Sequence, residues 1–455
     1  MPKIFMASLG CAKNLVDAET MLGETLGGEF SLAVRPRDAD VIVVNTCGFI
    51  EEARNEAREV IQGYLAIKKR SRGRIRVAAA GCWAEREPRE ILAEFPDLDA
   101  VWGLGIPSSL GEAIRRLLAG PNGVPEADGH PAGSGARPPR EGTRLLSTPA
   151  SYAYLRLSDG CDNRCSYCAI PLIRGGLISR DPAAILEEAR TLEAGGIREL
   201  VLIGQDTTAY GRDSGSAGAG LAWLLERLLR ELSVPRLRLL YAHPARLDDR
   251  VADLLLNEPR LCGYLDLPIQ HISDRILALM GRGYGRERVE EILDRFAGGG
   301  PTIRTTLLLG FPGEGEGDFL EALELVKTGR FRHLGAFAYS PERGTPARDL
   351  PGRVPPEEAG RRRDAILEAQ REVAFAWLDS RIGGREEILA DSRLENGRWL
   401  ARSVHEAPDA DGNIILDGFS GRSGQFVTAC IKRREGYDLL AESGGRKSGR
   451  KRNRA

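Results

Sequence analysis

The stretch Ser158 to Arg180 reads SDGCDNRCSYCAIPLIRGGLISR and holds Cys161, Cys165 and Cys168 in a CxxxCxxC run. A disulfide between any two of these cysteines would leave the third thiol unpaired. Zinc ribbons differ as well, because they take four ligands from two CxxC pairs. Three thiolates on one irregular loop, with a fourth position vacant, therefore favour an iron–sulfur cluster that has one open iron.

The chain around this loop repeats a strand followed by a helix, about six times between residues 149 and 348. Six βα repeats are too few for a closed eightfold barrel and predict an open partial (β/α)6 barrel. Chemistry in such barrels lies on the loops after the strands, and the cysteine loop follows the first strand. Polar residues after the other strands are candidates too, although a capping or turn role explains each equally well. They are Gln205, Asp206, His243, Gln270, His271, Tyr339 and Ser340.

Residues 1–119 also alternate strands with helices, which predicts a parallel sheet covered by helices, a Rossmann-like α/β domain. Cys11, Cys47 and Cys82 each end one of its strands, in ASLGC, VNTCG and AAAGC. Because parallel strands end along one edge of the sheet, these distant cysteines are expected to converge there. Spacing alone leaves two interpretations open: three buried structural cysteines, or a second three-thiolate cluster.

Three further regions complete the expected organisation around the partial barrel of residues 148–378. Residues 120–147 are rich in glycine and proline and predict a flexible linker. Residues 379–442 alternate apolar and polar positions between turn signals, which predicts a small antiparallel β-barrel of about five strands. Residues 443–455 carry six Lys/Arg and no acid, and predict a disordered basic tail.

Composition narrows the class of protein. With 42% hydrophobic and 28% charged residues the 455-residue chain is an ordinary globular protein. The chain has 64 Lys and Arg and 65 Asp and Glu, a formal net charge of -1. Its overall charge therefore does not attract it to nucleic acid or to a membrane. The first residues do not form a signal peptide, and no apolar run reaches the roughly 18 residues of a membrane span. A cytoplasmic location is therefore expected, where eight cysteines would stay reduced.

Longer motifs resemble the radical S-adenosylmethionine methylthiotransferases over nearly the whole chain. They are SLGCAKNLVDAE, VNTCGFI, AAGCWAER, GCDNRCSYCAIPLIRGGLISR and a C-terminal barrel of the TRAM type. SLGCAKNLVD, YLDLPIQHISDRIL, AYSPERGTPA and APDADGNIILDG most resemble the branch that methylthiolates an aspartate of small-subunit ribosomal protein S twelve. The tRNA-modifying branch typically has a glutamine-methionine pair in place of Ala12-Lys13, and tends to lack the histidine at His271. The pairs Asp162-Asn163 and Gly175-Gly176 and the long linker depart from the usual pattern, and none touches a cysteine.

The resemblance implies a radical centre at the CxxxCxxC loop. Cys161, Cys165 and Cys168 would hold a 4Fe-4S cluster whose open iron binds S-adenosyl-L-methionine. Reductive cleavage would give a 5′-deoxyadenosyl radical that abstracts hydrogen from the substrate carbon, so that the cofactor carries the hard chemistry and the protein positions it. Tyr167 would pack near the adenine and Gln205 would contact the cofactor. No catalytic residue is assigned beyond the cluster ligands.

The resemblance also implies a second 4Fe-4S cluster, held by Cys11, Cys47 and Cys82. Its open iron would carry the sulfur that a further S-adenosyl-L-methionine methylates and that the substrate radical receives. An electron donor such as flavodoxin or ferredoxin would be a partner.

Charge bears on the substrate independently of the resemblance. From Arg381 to Leu440 there are 9 Lys/Arg and 10 Asp/Glu, a difference of -1. A module that grips RNA normally carries surplus positive charge, because phosphate contacts dominate its affinity. A protein substrate is favoured and direct tRNA binding is not expected, although Lys432 to Arg434 form a local basic patch. The alternatives are the same chemistry on a tRNA adenosine, and a nucleic-acid-binding protein with structural metal sites.

Overall fold

The computed structural model describes residues 1–25, 29–105, 109–120, 126–128, 143–214 and 220–444. Most of the expected linker, residues 121–125 and 129–142, lies outside the described residues, as does the expected tail beyond residue 444. None of the described helices combines the length and the apolar run that crossing a bilayer requires.

The N-terminal region forms a parallel six-stranded sheet in the order β2-β1-β3-β4-β5-β6. Its strands are β1 (Lys3–Ser8), β2 (Ser31–Leu32), β3 (Val41–Thr46), β4 (Arg76–Gly81), β5 (Ala100–Trp102) and β6 (Glu126–Asp128). Its helices are α1 (Ala12–Thr25), α2 (Glu51–Arg70), α3 (Cys82–Arg86), α4 (Pro88–Glu94) and α5 (Leu110–Ala119). Every residue of β3 is buried, as expected when helices cover both faces of a parallel sheet. The predicted Rossmann-like α/β fold is confirmed, and β6 adds a short strand within the stretch expected to be linker.

The middle region is a second parallel sheet, in the order β14-β13-β12-β11-β10-β7, which curves into the predicted open partial barrel. Its strands, with a small β8-β9 pair beside the cysteine loop, are β7 (Tyr152–Arg156), β8 (Ser158–Asp159), β9 (Ile178–Ser179), β10 (Glu199–Ile203), β11 (Arg236–Leu239), β12 (Leu261–Asp266), β13 (Thr302–Leu309) and β14 (His333–Ala338). Its helices are α6 (Ile170–Arg174), α7 (Pro182–Ala194), α8 (Leu221–Glu231), α9 (Asp249–Asn257), α10 (Asp274–Leu279), α11 (Arg286–Arg295), α12 (Glu316–Lys327) and α13 (Pro356–Ser380).

The two faces of the partial barrel differ in burial. On β13, alternate residues such as Leu307 pack against the helices and are fully buried. The residues between them, such as Arg304 and Thr306, face the concave side and are only partly buried. We call the concave side of β7 and β10–β14 the lumen. Phe337 on β14 pairs with Leu308 and is 49% exposed, so the lumen is open to solvent beside the last strand.

The C-terminal region is a closed five-stranded barrel in the order β15-β16-β17-β19-β18. Its strands are β15 (Arg385–Arg393), β16 (Trp399–Arg402), β17 (Ile414–Asp417), β18 (Phe426–Glu435) and β19 (Asp438–Ser443). The small barrel is confirmed, but the expectation that it is antiparallel throughout is wrong, because β17 and β19 pair in parallel. In a closed ring with an odd number of strands, direction cannot alternate all the way round, so at least one pair must be parallel.

The small barrel docks on the lumen floor, at the starts of the middle strands, through buried charges. Arg238 and Arg402 donate to the same oxygen of Glu199, at 2.7 Å and 2.9 Å. Asp391 accepts from Arg402 at 2.7 Å and from Ser151. These partners offset the free-energy cost of burying the charges, and they fix the position of the small barrel on the partial barrel.

A loop of the small barrel also closes the floor of the lumen. Asp409 accepts hydrogen bonds from the hydroxyls of Tyr152 and Tyr154. Asp411 accepts from the hydroxyl of Tyr264 and from Arg304, each at 2.7 Å. These contacts cover the end of the lumen where the strands begin, and the cysteines lie at the opposite end, after the strands.

Candidate active site

The CxxxCxxC loop is shaped by glycines that come into close contact. Gly160 has φ +69°, and a Cβ there would lie 1.9 Å from the carbonyl oxygen of Gly176. A Cβ on Gly176 would in turn lie 2.8 Å from Oδ1 of Asp162, which accepts the amide of Leu177 at 2.9 Å. Two departures from the usual family pattern, at residues 162 and 176, are therefore neighbours that fit each other.

The thiols of this loop are surrounded by buried polar groups. Nη1 of the buried Arg282 lies 3.4 Å from Sγ of Cys165 and 3.3 Å from the hydroxyl of Tyr167. Burial raises the pKa of the Cys161 thiol to about 11 and that of Cys168 to about 12. Ligation requires thiolates, so a bound metal would have to supply the charge that removes these protons.

The two residues predicted to contact the cofactor lie beside this loop. Gln205 donates from Nε2 to Asp159 at 2.8 Å, and its Oε1 is buried with no partner among the described residues. The hydroxyl of Ser158 is also buried without a partner there. The ring of Tyr167 meets Phe311 edge-on, with centroids 6.5 Å apart. Unsatisfied buried polar atoms call for a partner, and a polar ligand in this place would provide one.

The other three cysteines lie where β1, β3 and β4 end. A Cβ on Gly10 (φ +84°) would lie 2.6 Å from Cβ of Cys47 and 3.1 Å from its Sγ, which places Cys11 and Cys47 side by side. Cys82 begins α3, and its Sγ lies 3.1 Å from Oδ1 of Asn14. The buried amide of Asn14 also donates to the backbone that precedes both other cysteines, at Leu9 and Thr46. The predicted convergence at one sheet edge is thus what the backbone produces.

Arg174 links the two trios and was not singled out from the sequence. Its Nη2 lies 3.3 Å from Sγ of Cys82, 2.9 Å from Oδ1 of Asn14 and 2.7 Å from Oδ2 of Asp17. Its Nη1 bonds Asp159, at the start of the CxxxCxxC loop, at 3.0 Å. The sequence signal was a basic residue after IPLI, which does not reveal partners about 90 and 160 positions away.

A second clamp fixes the N-terminal sheet to the end of the partial barrel. Glu342 in AYSPERGTPA is buried and accepts from Arg54 at 2.7 Å and from Arg86 at 2.8 Å. The Arg86 side chain also donates to the carbonyl of Gly48, next to Cys47, at 3.0 Å. The loops that carry the second trio are therefore tied to the partial barrel.

The thiols of the second trio differ electrostatically. Burial opposes ionisation of Cys11, but the charges of Lys13 and Arg174 outweigh it and hold the pKa of this thiol below its usual range. Burial raises the pKa of Cys47, and raises that of Cys82 to about 12. The Cys11 residue as a whole is exposed to solvent although neighbouring atoms surround its thiol, whereas Cys82 is buried.

Both trios have the chemistry of iron–sulfur ligands. Each offers three thiols that form no disulfide. A different buried arginine contacts one sulfur of each trio: Arg282 contacts Cys165, and Arg174 contacts Cys82. Among the described residues, no three Cys, His or acidic side chains are spaced to hold a single metal ion. A multi-iron cluster is larger than one ion and needs its ligands farther apart. Three thiols are one ligand short of the four that a structural zinc ion takes, and are the donor set that would leave one iron of such a cluster open.

Two histidines that the sequence placed after strands each use Nδ1 as a cap, and the Nε2 of each is buried without a hydrogen-bond partner among the described residues. His243 accepts the amide of Ala245 at a capping position, and burial lowers its pKa to about 2. His271 is fully buried, and its Nδ1 accepts the amide of Ser273 at 3.0 Å. For both residues the capping interpretation fits the observed contacts.

Comparison with known proteins agrees with this arrangement. Family models match the Radical SAM superfamily at residues 155–326, the TRAM domain at residues 382–443, and the uncharacterized protein family UPF0004 at residues 3–103. The solved structure of the radical S-adenosylmethionine methyltransferase TsrM from Kitasatospora setae is similar in fold, with a TM-score of 0.52. It is 17% identical, and the match covers 76% of this chain and 77% of that one.

Full-length relatives are much more similar in sequence. The ribosomal protein uS12 methylthiotransferase RimO of Caldicellulosiruptor saccharolyticus is 40% identical over 97% of this chain and 100% of its own. The protein of the same name from Desulforudis audaxviator is 42% identical over 96% of both chains. With three matching domains and similarity along its whole length, the chain belongs to the RimO family of radical SAM methylthiotransferases.

Proposed function

We propose that this protein transfers a methylthio group to the β-carbon of an aspartate in small-subunit ribosomal protein uS12. The relatives that match along nearly their full length are named for that activity. The observation that carries the proposal is that Arg174 bonds Cys82 of one trio and Asp159 at the start of the loop that holds the other, while Cys82 packs against Ala169, the residue after Cys168. Inserting sulfur and a methyl group needs a radical source and a sulfur source close together, and two adjacent centres can supply both.

The first centre is assigned to Cys161, Cys165 and Cys168. The radical SAM family implies a 4Fe-4S cluster and S-adenosylmethionine, which together supply the one-electron chemistry that removes hydrogen from an unactivated carbon. Gln205 and Tyr167 are assigned to binding S-adenosylmethionine. The unsatisfied Oε1 of Gln205 and the tyrosine ring beside the cysteine loop support this assignment.

The second centre is assigned to Cys11, Cys47 and Cys82, which would hold a second 4Fe-4S cluster and supply the sulfur. Cys11 is the exposed member and adjoins the lumen through Lys13, so this centre is open towards the substrate. The buried Asn14 and Arg174 keep Cys82 in place on the side away from the opening.

The charge of the small barrel supports a protein substrate over tRNA. From Arg381 to Leu440 the formal net charge is -1, so the small barrel has no surplus of positive charge with which to bind the phosphates of RNA. In the basic patch, Lys432 pairs with Glu442 and Arg434 with Asp379. Reducing equivalents would come from a small redox protein such as flavodoxin or ferredoxin.

Mass spectrometry can test the substrate directly. The full chain, reconstituted anaerobically with iron and sulfide, is incubated with S-adenosylmethionine, a reductant and either purified uS12 or bulk tRNA. We expect one methylthio group on one aspartate of uS12 and none on tRNA. A methylthio group on tRNA alone would contradict the proposal. A preparation that binds zinc in place of iron and modifies neither substrate would favour a nucleic-acid-binding protein with structural metal.

A further inference from the structure

The arginines that line the lumen already have carboxylate partners. They reach inward from β7, β11 and β13 and meet acids from all three regions of the chain. The pairs are Arg156 with Asp17, Arg236 with Glu387, Arg238 with Glu199 and Arg304 with Asp411. These charges are neutralised inside the protein, so none of these four arginines is left to meet an acidic ligand.

Two buried cations near the strand ends, Lys13 and Arg282, have no ion-paired carboxylate among the described residues. Arg282 is satisfied by the carbonyl of Pro268 and the hydroxyl of Tyr284, whereas Lys13 is not satisfied in this way. Lys13 is 7% exposed, and its acidic neighbours are the Cys11 thiol and the Tyr241 side chain, because no described carboxylate forms an ion pair with it. The ammonium lies 3.3 Å from the centroid of the Tyr241 ring, in a cation–π contact. A ring face satisfies an ammonium only in part, because it offers none of the strong acceptors that three N–H groups can use. A buried cation in this state favours an incoming anion.

The placement of Lys13 connects the second trio with the lumen. It lies in the first turn of α1, two residues after Cys11, and its side chain crosses to a tyrosine of the partial barrel. Tyr241 has φ +60°, a conformation that is strained for this residue type and that tends to occur at functional sites. Its backbone amide donates to Asp266 at 3.0 Å, which fixes the backbone that carries the ring.

The lumen is open to solvent at the last strand of the partial barrel. Phe337 is 49% exposed there, and Thr306 and Gly335 beside it are only partly buried. Gly335 contributes no side chain to this wall. A Cβ at that position would have a ring carbon of Phe337, at 3.7 Å, as its nearest neighbour. This wall presents the ring of Phe337 and the hydroxyl of Thr306, and its nearest cation, Arg304, is already paired with Asp411. Such a surface suits a short loop of a protein better than a phosphate backbone.

We propose that Lys13 binds the side-chain carboxylate of the target aspartate and so makes the enzyme select an acidic residue. This inference rests on the proposed function and names the residue that recognises its substrate. In aspartate the β-carbon is bonded directly to the carboxyl carbon. A cation that holds the carboxylate therefore also positions the reacting β-carbon, which is one bond from the carboxyl carbon. The β-carbon would then lie near the centre assigned to supply the sulfur.

Binding measurements on the reconstituted full-length enzyme test this role. The probes are uS12 and uS12 whose target aspartate is replaced by asparagine, a neutral side chain of nearly equal shape. We expect the wild type to bind the aspartate form about tenfold to a hundredfold more tightly, as for a hydrogen bond to a charged group. Lys13→Met should remove this difference, and Lys13→Arg should retain part of it. The control Lys327→Met, at an exposed lysine of α12, should keep the full difference.

Several outcomes would overturn the inference while the proposed function stands. One is a wild type that binds both forms of uS12 equally. Another is a Lys13→Met variant that keeps the difference, even if the absorption or electron paramagnetic resonance spectrum of its clusters changes, because the lysine would then serve the cluster alone. Iron content is measured in each variant. If Lys13→Met loses iron, the test rests on the binding difference between the two forms of uS12 in the wild type and in Lys13→Arg. Failure of the wild type to bind either form would overturn the proposed function itself.

Discussion

The two cysteine trios have the same donor atoms but are built in different ways. Cys161, Cys165 and Cys168 come from one loop, whose shape is set locally where Gly160 packs against Gly176. The other trio comes from the ends of three strands spread over residues 11–82, and the sheet edge and Asn14 bring them together. A local site can form with its own loop, whereas a dispersed site forms only after the surrounding sheet has folded.

The difference extends to what surrounds the sulfurs. Cys165 contacts Arg282, a residue of the same domain. Cys82 contacts Arg174, which comes from the partial barrel and crosses to the N-terminal sheet. The dispersed trio therefore takes part of its charge environment from another domain, whereas the arginine beside the local trio belongs to its own domain.

The largest effect is expected from removing one ligand of each trio. Cys161→Ala should abolish formation of 5′-deoxyadenosine from S-adenosylmethionine, because the radical centre loses a ligand. Cys11→Ala should leave that cleavage intact and stop sulfur insertion into uS12. Chromatography of the nucleoside and mass spectrometry of uS12 measure the two steps separately. Equal loss of cleavage in both variants would show that the trios do not divide the work as proposed.

Glycine substitutions should break one trio at a time without removing a ligand. Gly160→Ala would place a methyl group 1.9 Å from a carbonyl oxygen beside the local loop, and Gly81→Ala (φ +93°) would place one 2.1 Å from Oδ1 of Asn45 beside Cys82. Each should lower the iron content to about half of wild type, the share of one cluster of two.

Only Gly160→Ala should also lose 5′-deoxyadenosine formation. The matched control is Gly63→Ala in helix α2, where a Cβ meets nothing within 4 Å. This variant should keep all of its iron and be slightly more stable, because alanine favours the helix. Iron loss in the control, or normal iron in both of the other variants, would contradict the described backbone constraints.

A smaller effect is expected at the link between the trios. Arg174→Lys keeps the charge but loses the fork that reaches Cys82, Asp17 and Asp159 together. We expect the free energy of unfolding to fall by about 1 to 3 kcal/mol, with more 5′-deoxyadenosine made per methylthio group transferred. Thermal denaturation and the ratio of the two products measure this. Arg361→Lys, exposed on α13, is the control, and an equal effect there would remove any special role from Arg174.

The sequence predicted those features that depend on short-range patterns. The loop trio, the βα repeats and the small barrel were each evident from spacing or periodicity, and the fold classes are confirmed. The edge shared by Cys11, Cys47 and Cys82 followed from the rule that parallel strands end together. The structure extends that expectation with the contacts of Asn14, which hold the strand ends in place.

Contacts between regions were beyond the reach of sequence reasoning. Arg174, Glu342 and the ammonium of Lys13 find partners that lie more than 90 positions away in the chain. A periodic pattern reports the face that a residue occupies within its own element and says nothing of which domain will dock there. The parallel β17-β19 pair was missed for a related reason, since it follows from closing an odd-numbered ring.

The most direct test of two separate centres is the iron and sulfide content of two triple variants after identical anaerobic reconstitution. In one, Cys161, Cys165 and Cys168 are replaced by alanine, and in the other Cys11, Cys47 and Cys82 are replaced. Each triple variant should retain about half of the wild-type iron and sulfide, and the variant that lacks all six cysteines should retain none. A triple variant with no iron, or one with the full wild-type content, would contradict the claim that this protein holds two independent clusters.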